Sequence, residues 1–552
     1  MRHIGIDLGT SNSLIAELIE HENGKHEVIC LKNNLGKYSF PSVLSYEDRN
    51  KCYFGLSAEE RLLTVPKSTV SMIKTRLGQV STIPVEIKGK KYNISPQEIS
   101  ATLLRQITKR YGENVDRAVL TKPANYGENQ NFALKEIIEL ADFNVVDMIE
   151  EPSAAVMYHL FKSYKDNTIN IDNFNNEKNI LVFDFGGGTL DLSLVAVKKE
   201  NNGLSTKVIC NEGNCNLGGG LIDLLFEKKI LQILNQKYGD RINKLYEEFL
   251  FYFNNFINGE ALYFKSSATE KEIKFLFKLK KILEEAKIEL STKESTQIKI
   301  EGLEDITITR NQFENYVLSD MDNEIAIKDK VREIINRISK FAYKKNLKVY
   351  QIIFVGGTSN IPYIRKIVVD ELKVLINDFN EKNVYISNDY DTAIVKGAAI
   401  LCAIKDGVKI APFNSTVCQT IVSHKIGIKY FGLEEILVND GETYPFENDK
   451  KFKFNIRNSL VPYQTIEFYE MEEFSDGQEN EKKVLDFNFY LPIYYTNDEI
   501  KLIFNIDKNG LYKIKLIHEF TGDEIDFEHI VVGSLNKKQK EEALKILERL
   551  RG

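Results

Sequence analysis

Gly5-Ile6-Asp7-Leu8-Gly9-Thr10-Ser11-Asn12-Ser13 and Phe183-Asp184-Phe185-Gly186-Gly187-Gly188-Thr189-Leu190-Asp191 carry one design twice. In each, an apolar run reads as a buried strand, Arg2 to Ile6 and Asn179 to Phe183; an aspartate follows and then a glycine turn. Glycine has no Cβ, so backbone N–H groups in such turns approach phosphate oxygens closely. Thr10, Ser11 and Thr189 add hydroxyl donors. Asp7 and Asp184 stand at the strand ends, placed to hold Mg²⁺, which prefers carboxylates, water and phosphate oxygens. The two hairpins together point to one nucleotide clamped from both sides.

The surrounding chain alternates strands and helices. A strand is expected at Arg117 to Leu120, a helix from Asn129 to Phe143, and, after an Asn-rich break from Lys165 to Asn179, a second strand and hairpin. A Gly218-Gly219-Gly220 turn leads into a helix from Leu221 to Lys237, and a later strand from Gln351 to Val355 ends at Gly356-Gly357. At 552 residues the chain exceeds one core, since domains run to about 250 residues. Its net charge of −7 gives no electrostatic reason to bind nucleic acid or an anionic membrane. No apolar run reaches ~18 residues and the chain opens directly on a strand, so a cytoplasmic protein is expected. Six scattered cysteines without a Cys-x-x-Cys pair read as free thiols. Neither a GxxxxGK[ST] loop nor a GxGxxG fingerprint is present, which removes two common nucleotide folds.

Near residue 410 helices become scarce. Lys451 to Arg457 and Lys501 to Ile506 alternate as strands, and Asp507-Lys508-Asn509-Gly510 joins the second to Leu511 to His518, a strong hairpin signal. The acidic run from Glu470 to Lys483 reads as a solvated loop. At the end, Asn536 and Gln539 form a capping-box pattern ahead of an apolar stripe, Ala543, Leu544, Leu547 and Leu550. That is one short helix.

These features resemble the heat shock protein 70 family, the DnaK-type chaperones, in a divergent, short-lid, bacterial-type form. Gly5 to Ser13, Asp184 to Asp191 and Leu217-Gly218-Gly219 look like its phosphate turns, and Val355-Gly356-Gly357-Thr358-Ser359-Asn360-Ile361-Pro362 like its adenosine loop. Glu151-Pro152-Ser153-Ala154-Ala155 and the helix Glu284 to Ser291 are similar to further family segments. The resemblance implies an α/β actin-like ATPase of two lobes with duplicated ribonuclease-H-like sheets over 1–410. A linker over 411–421, a β-sandwich peptide-binding domain over 422–532 and a short helix, a vestigial lid, over 533–552 would follow. It also implies ATP hydrolysis to ADP and phosphate, coupled to binding of extended apolar segments of unfolded proteins, with a J-domain protein and an exchange factor as partners. A scaffold or exchange-factor-like protein that binds ATP with little turnover is the alternative.

By the same resemblance, Lys74, Glu151, Asp191 and Thr189 form the catalytic set. Asp7 and Asp184 position Mg²⁺ through water. Gly9, Thr10, Ser11, Asn12, Gly186, Gly187, Gly188, Gly218 and Gly219 hold the phosphates, while Glu284, Lys287, Ser291, Gly356, Gly357, Asn360 and Asp391 hold the nucleoside. Glu284, Lys287 and Ser291 share one helix face. Arg457 to Pro462 resembles a loop of the peptide-binding domain. Four positions depart from the family: Asn360 and Ile288 replace cations near the base, and Asn131 and Asp147 replace arginines used in interdomain signalling and J-protein contact. The linker stretch Thr416-Val417-Cys418-Gln419-Thr420 is less apolar than the family's leucine run and lacks its acid.

Overall fold

The computed structural model describes residues 2–62, 64–79, 82–109, 117–200, 203–214, 217–257, 268–319, 326–413, 418–422, 424–430, 433–453, 463–473, 479–490, 499–519, 521–524, 527–531 and 533–549. Two mixed sheets repeat one plan. In the first, His3–Asp7 makes a hairpin with Asn12–Glu20, His26–Cys30 continues it, and Ala118–Lys122 and Val145–Glu150 add in parallel on the other side. In the second, Lys178–Phe185 makes a hairpin with Leu190–Glu200, Gly203–Asn214 continues it, and Val349–Val355 and Val384–Ile386 add in parallel. The inner strands are covered on both faces, which is why residues 180–183 read as an unbroken apolar run.

Helices Glu151–Lys165 and Ala393–Lys405 share a core with both sheets. Their Ala154, Ala155, Ala398 and Ala399 lie with Val119 of the first sheet and Val182, Val195 and Val355 of the second. Small side chains on both helices keep this layer thin and tie the two lobes together. The helices expected at 129–143 and 221–237 form as Glu128–Ala141 and Gly219–Tyr238.

The expected linker is itself a strand. Cys418–Ile421 adds in parallel to the edge of the second sheet, Thr206 opposite Cys418 and Lys207 opposite Gln419, and then pairs with Thr443–Tyr444. Thr416 and Val417 lie outside the described residues. Beyond it, a five-stranded sheet (Leu433–Val438, Lys425–Tyr430, Tyr463–Glu473, Glu479–Tyr490, Phe527–Val531) accompanies a three-stranded one (Phe446–Lys453, Glu499–Ile506, Tyr512–His518). Ile426, Ile428, Ile466 and Phe468 of the first share a core with Leu502, Phe504 and Leu516 of the second. Alternate residues face inward, as packed sheets require. The Asp507–Gly510 turn joins two strands as expected, whereas residues 457–462 lie outside the described part.

Two sequence expectations change. The run from Glu470 to Lys483 is not a solvated loop: Glu470 to Glu473 end one strand, Glu479 to Lys483 begin its partner, and Glu470 is buried. Charge density hid a strand alternation whose inward positions are Ile466, Phe468 and Glu470. The terminal helix Lys537–Arg549 has the expected capping box, with Asn536 and Gln539 exchanging bonds of 2.9 Å, yet Leu544 is exposed. Ala543 and Leu547, with Leu535, instead enter the core of the first lobe beside Ile99, Leu103, Ile137 and Leu140. Leu550 lies outside the described residues. Among the described residues, no helix is long and apolar enough to cross a membrane.

Candidate functional site

The central strands of the two sheets end at one cleft, which Asp7 and Asp184 both line. Of the residues the sequence assigns to the site, all except Gly218 line that cleft. The glycine turns interlock around it. A Cβ on Gly187 would stand 2.3 Å from the Ser11 hydroxyl, one on Gly188 would stand 2.5 Å from Thr10, and one on Gly218 would stand 2.4 Å from the Gly188 backbone. Gly218 thus acts from behind, as the surface on which the second turn rests. Gly219 N–H donates to Gly186 O (3.0 Å) and Gly220 N–H to Gly187 O (2.8 Å), which locks the third turn to the second. Thr358 Oγ1 donates to Gly186 O at 2.8 Å and ties in the 356–360 turn.

Charge is concentrated here and largely dry. Lys74 Nζ donates to Glu151 Oε1 at 2.6 Å, with both side chains about nine-tenths buried. Burial opposes the Lys74 charge, but Glu151, Tyr126 and Asp7 outweigh it, so its pKa is raised and it stays an ammonium. Burial, with a contribution from Glu151, lifts Asp7 to about 6 against the pull of Lys74 and a 2.7 Å bond from Thr121. Asp191 rises to about 7 by burial and Glu151. Asp184 is pushed well above the carboxylate range by burial and by Glu151, Asp191 and Asp7. Four carboxylates face one lysine. That surplus of buried negative charge fits a divalent cation, and among the described residues no three His, Cys, Asp or Glu side chains converge tightly enough to ligate one directly. Glu151 is the first residue of its helix, where positive backbone charge favours a carboxylate.

At the far end of the cleft, Glu284, Lys287 and Ser291 come from the Glu270–Leu290 helix and its cap. Lys287 is not held for a ligand alone: its Nζ lies 2.6 Å from Asp223 Oδ1 and 3.4 Å from Gly219 O. Asp391 is pushed up to about 6 by loss of water. Asn360 bonds to Arg365. Sequence reasoning missed Thr121, Asp223 and Arg365. Asp223 follows Gly219 by one helical turn, so it had a spacing signal; Thr121, brought in by a parallel strand, had none.

Asn131 and Asp147, the two positions where the resemblance led one to expect arginines, face the β domain. Asn131 Nδ2 donates to Gly510 O at 3.4 Å, and Asp147 lies between Lys405 (2.6 Å) and Lys508 (3.4 Å). Lys122 Nζ donates to Asn509 O at 3.1 Å. Next to this turn, the buried Glu470 accepts from Glu128 N–H (3.0 Å) and from the Tyr512 hydroxyl (2.8 Å), while Tyr512 N–H donates to Glu128 Oε2 (3.0 Å). The β domain therefore seats its 507–510 turn against the lobe that carries Asp7, Lys74 and Glu151.

A family model described as Hsp70 protein matches residues 3–246 and 253–549. A Chaperone protein DnaK of Carsonella ruddii (strain PV) is 28% identical over 581 residues, covering 98% of this chain and 85% of that protein. A Chaperone protein DnaK of Thermoplasma volcanium is 26% identical over 557 residues (98% and 79%), and one of Gracilaria tenuistipitata var. liui is 26% identical over 578 residues (98% and 82%).

Proposed function

The chain belongs to the Hsp70 family, and on that footing we propose how its cleft does the work of an ATP-dependent chaperone. The protein binds nucleotide, hydrolyses ATP and acts on unfolded polypeptide. Extended apolar segments would bind to the β domain, over about 422–532, and the ATPase would span about 1–410.

Within the cleft, the Gly9–Asn12 and Gly186–Thr189 turns cradle the phosphates with N–H and hydroxyl donors. Mg²⁺, held through its water by Asp7 and Asp184, would neutralise phosphate charge. Lys74 keeps its proton and stabilises charge on the γ-phosphoryl oxygens, and Glu151, bonded to it, fixes its position. Asp191, near 7, both orients the attacking water and can take its proton at physiological pH, with Thr189 bonded to it. Phosphoryl transfer asks mainly for positioning and charge, and the Lys74–Glu151 pair at 2.6 Å among the carboxylates is the observation that carries this reading. A J-domain protein and an exchange factor are proposed partners in a cytoplasmic setting.

Single-turnover ATP hydrolysis by wild type and Lys74→Ala tests the proposal. Loss of this charge is expected to slow the step about 10²- to 10³-fold, with the nucleotide still bound. No hydrolysis by wild type, or an unimpaired variant, overturns it.

A further inference from the structure

The chain crosses between the lobes twice, and at the second crossing stands a carboxylate that phosphate chemistry does not use. Residues 387–392 lead from Val384–Ile386, the edge of the second sheet, to the Ala393–Lys405 helix. That helix lies on the first sheet so closely that a Cβ on Gly5 would stand 2.2 Å from Val395 O. Within the crossing, Asp389 meets three donors. Lys162 Nζ donates to its Oδ2, Lys396 Nζ to its Oδ1 at 2.6 Å and the Tyr158 hydroxyl to Oδ2 at 2.9 Å, while Lys396 Nζ also reaches the Tyr158 oxygen at 3.3 Å. Tyr158 and Lys162 lie one turn apart on the Glu151–Lys165 helix, and Lys396 lies near the start of the other. One side chain therefore ties both helices to the crossing.

The backbone here is equally constrained. Asp389 O accepts from Thr392 N–H (2.9 Å) and Ala393 N–H (2.8 Å), which starts the helix, and Tyr390 O accepts from Gly356 N–H (3.0 Å), which fastens the crossing to the second lobe. The two helices touch where a Cβ on Gly397 would stand 1.9 Å from Ala154 O, next to Lys396 and one turn before Tyr158. Burial opposes the Asp389 charge, but the bonds from Lys162 and Lys396 outweigh it and hold the carboxyl down to about 2, so the cluster stays charged at neutral pH. Taking ions out of water consumes most of their attraction, so such a cluster adds little stability over apolar packing. What two cations and a hydroxyl on one carboxylate do supply is a fixed geometry. Geometry decides the behaviour of a hinge, where a short segment absorbs the backbone rotation as the lobes move.

We infer that Asp389 is the pin of the interlobe hinge: gripped by Lys162, Lys396 and Tyr158, it fixes the point about which the lobes turn, and with it the angle at which Glu151, at the head of the pinned helix, meets the second-lobe residues Asp184 and Asp191. The inference rests on the ATPase reading above and goes beyond it. Tyr390 and Asp391 line the cleft, whereas Asp389 stands behind them, outside its lining. It is a positioning residue, acting through the helix that carries Glu151.

Asp389→Asn keeps the shape and removes the charge; Tyr158→Phe removes one arm of the cluster. Genetically encoded spin labels at the exposed Lys51 of the first lobe and Lys293 of the second, read by electron–electron double resonance on the ligand-free full chain, report the lobe angle. Asp389→Asn is expected to broaden the interlobe distance distribution. It should also slow single-turnover ATP hydrolysis about tenfold while changing ATP affinity less than about threefold, because misplacing a catalytic group lowers the rate more than the binding. Tyr158→Phe should slow the step about threefold, with a smaller broadening. Unchanged distances overturn the inference, as does an unchanged rate, and a lower thermal midpoint with both unchanged assigns the cluster to stability alone. Should Asp389→Asn fail to fold, Tyr158→Phe decides by the same two readings. If wild type does not hydrolyse ATP, the ATPase reading fails, and the distances still decide whether Asp389 pins the hinge.

Discussion

Glu470→Gln should loosen the β domain from the first lobe without disturbing either. Its carboxylate accepts from Glu128 N–H of the first lobe at 3.0 Å, the bond that crosses the interface, and from the Tyr512 hydroxyl of its own domain at 2.8 Å. A hydrogen bond to a charged group contributes about 1.5–3 kcal/mol. An amide oxygen in its place still accepts, without the charge, so the lower figure applies: about 1.5 kcal/mol, or roughly tenfold in the docking equilibrium. The Glu128 amide is a direct reporter. It opens the Glu128–Ala141 helix, where N–H groups have no intrahelical acceptor, so its protection against exchange comes from Glu470 across the interface. Residue-resolved hydrogen exchange should show that amide exchanging about tenfold faster in Glu470→Gln, while amides of Ala118–Lys122 keep their rates. An unchanged Glu128 rate, or an equal rise through that central strand, refutes the reasoning.

Glu128 also makes docking pH-dependent. Burial first, then Glu470 and Asp507, hold its carboxyl well above the usual range against Tyr512 N–H and Lys135. The docked state therefore retains a proton that the undocked state releases above about 4.3, so docking is strongest below that pH and weakens as pH rises toward the raised value. Small-angle scattering should show a growing radius of gyration from acid to neutral pH; a shrinking one contradicts the assignment. Asp147→Lys should weaken docking by repelling Lys508 across the interface, and adding Lys508→Asp should recover about 0.5–1 kcal/mol, less at high salt, since Lys508 is 56% exposed. No recovery in the double variant, read by the same scattering, removes the pair from the interface. Because the terminal helix packs on the first lobe, labelled apolar peptide should leave rapidly in both ATP and ADP. A long-lived ADP complex in a fluorescence release assay refutes this.

The site was legible where chemistry is local. Phosphate turns need glycine next to aspartate, and Asn536 with Gln539 needs only four residues of chain. Long-range partners left no such trace. Glu470 looked like surface charge because its acceptor role is met by Glu128, 342 positions away along the chain. Asn131 and Asp147 looked like lost contacts, since Gly510 O and Lys508, which face them, are supplied by a turn read only as a hairpin. Arg365 carried no motif, because its bonds to Ser359 O and Asn360 depend on a helix leaning it back over a turn.

The linker strand joins the second lobe through two residue pairs, and the terminal helix returns to the first lobe through Leu535, Ala543 and Leu547. The chain thereby closes a mechanical ring: first lobe, second lobe, β domain and back. Any ligand that draws the lobes together must shorten or twist the span between the two anchorages, and the β domain is what spans it. Releasing one anchorage leaves the other holding the domain at high local concentration, so undocking becomes a two-step, reversible opening.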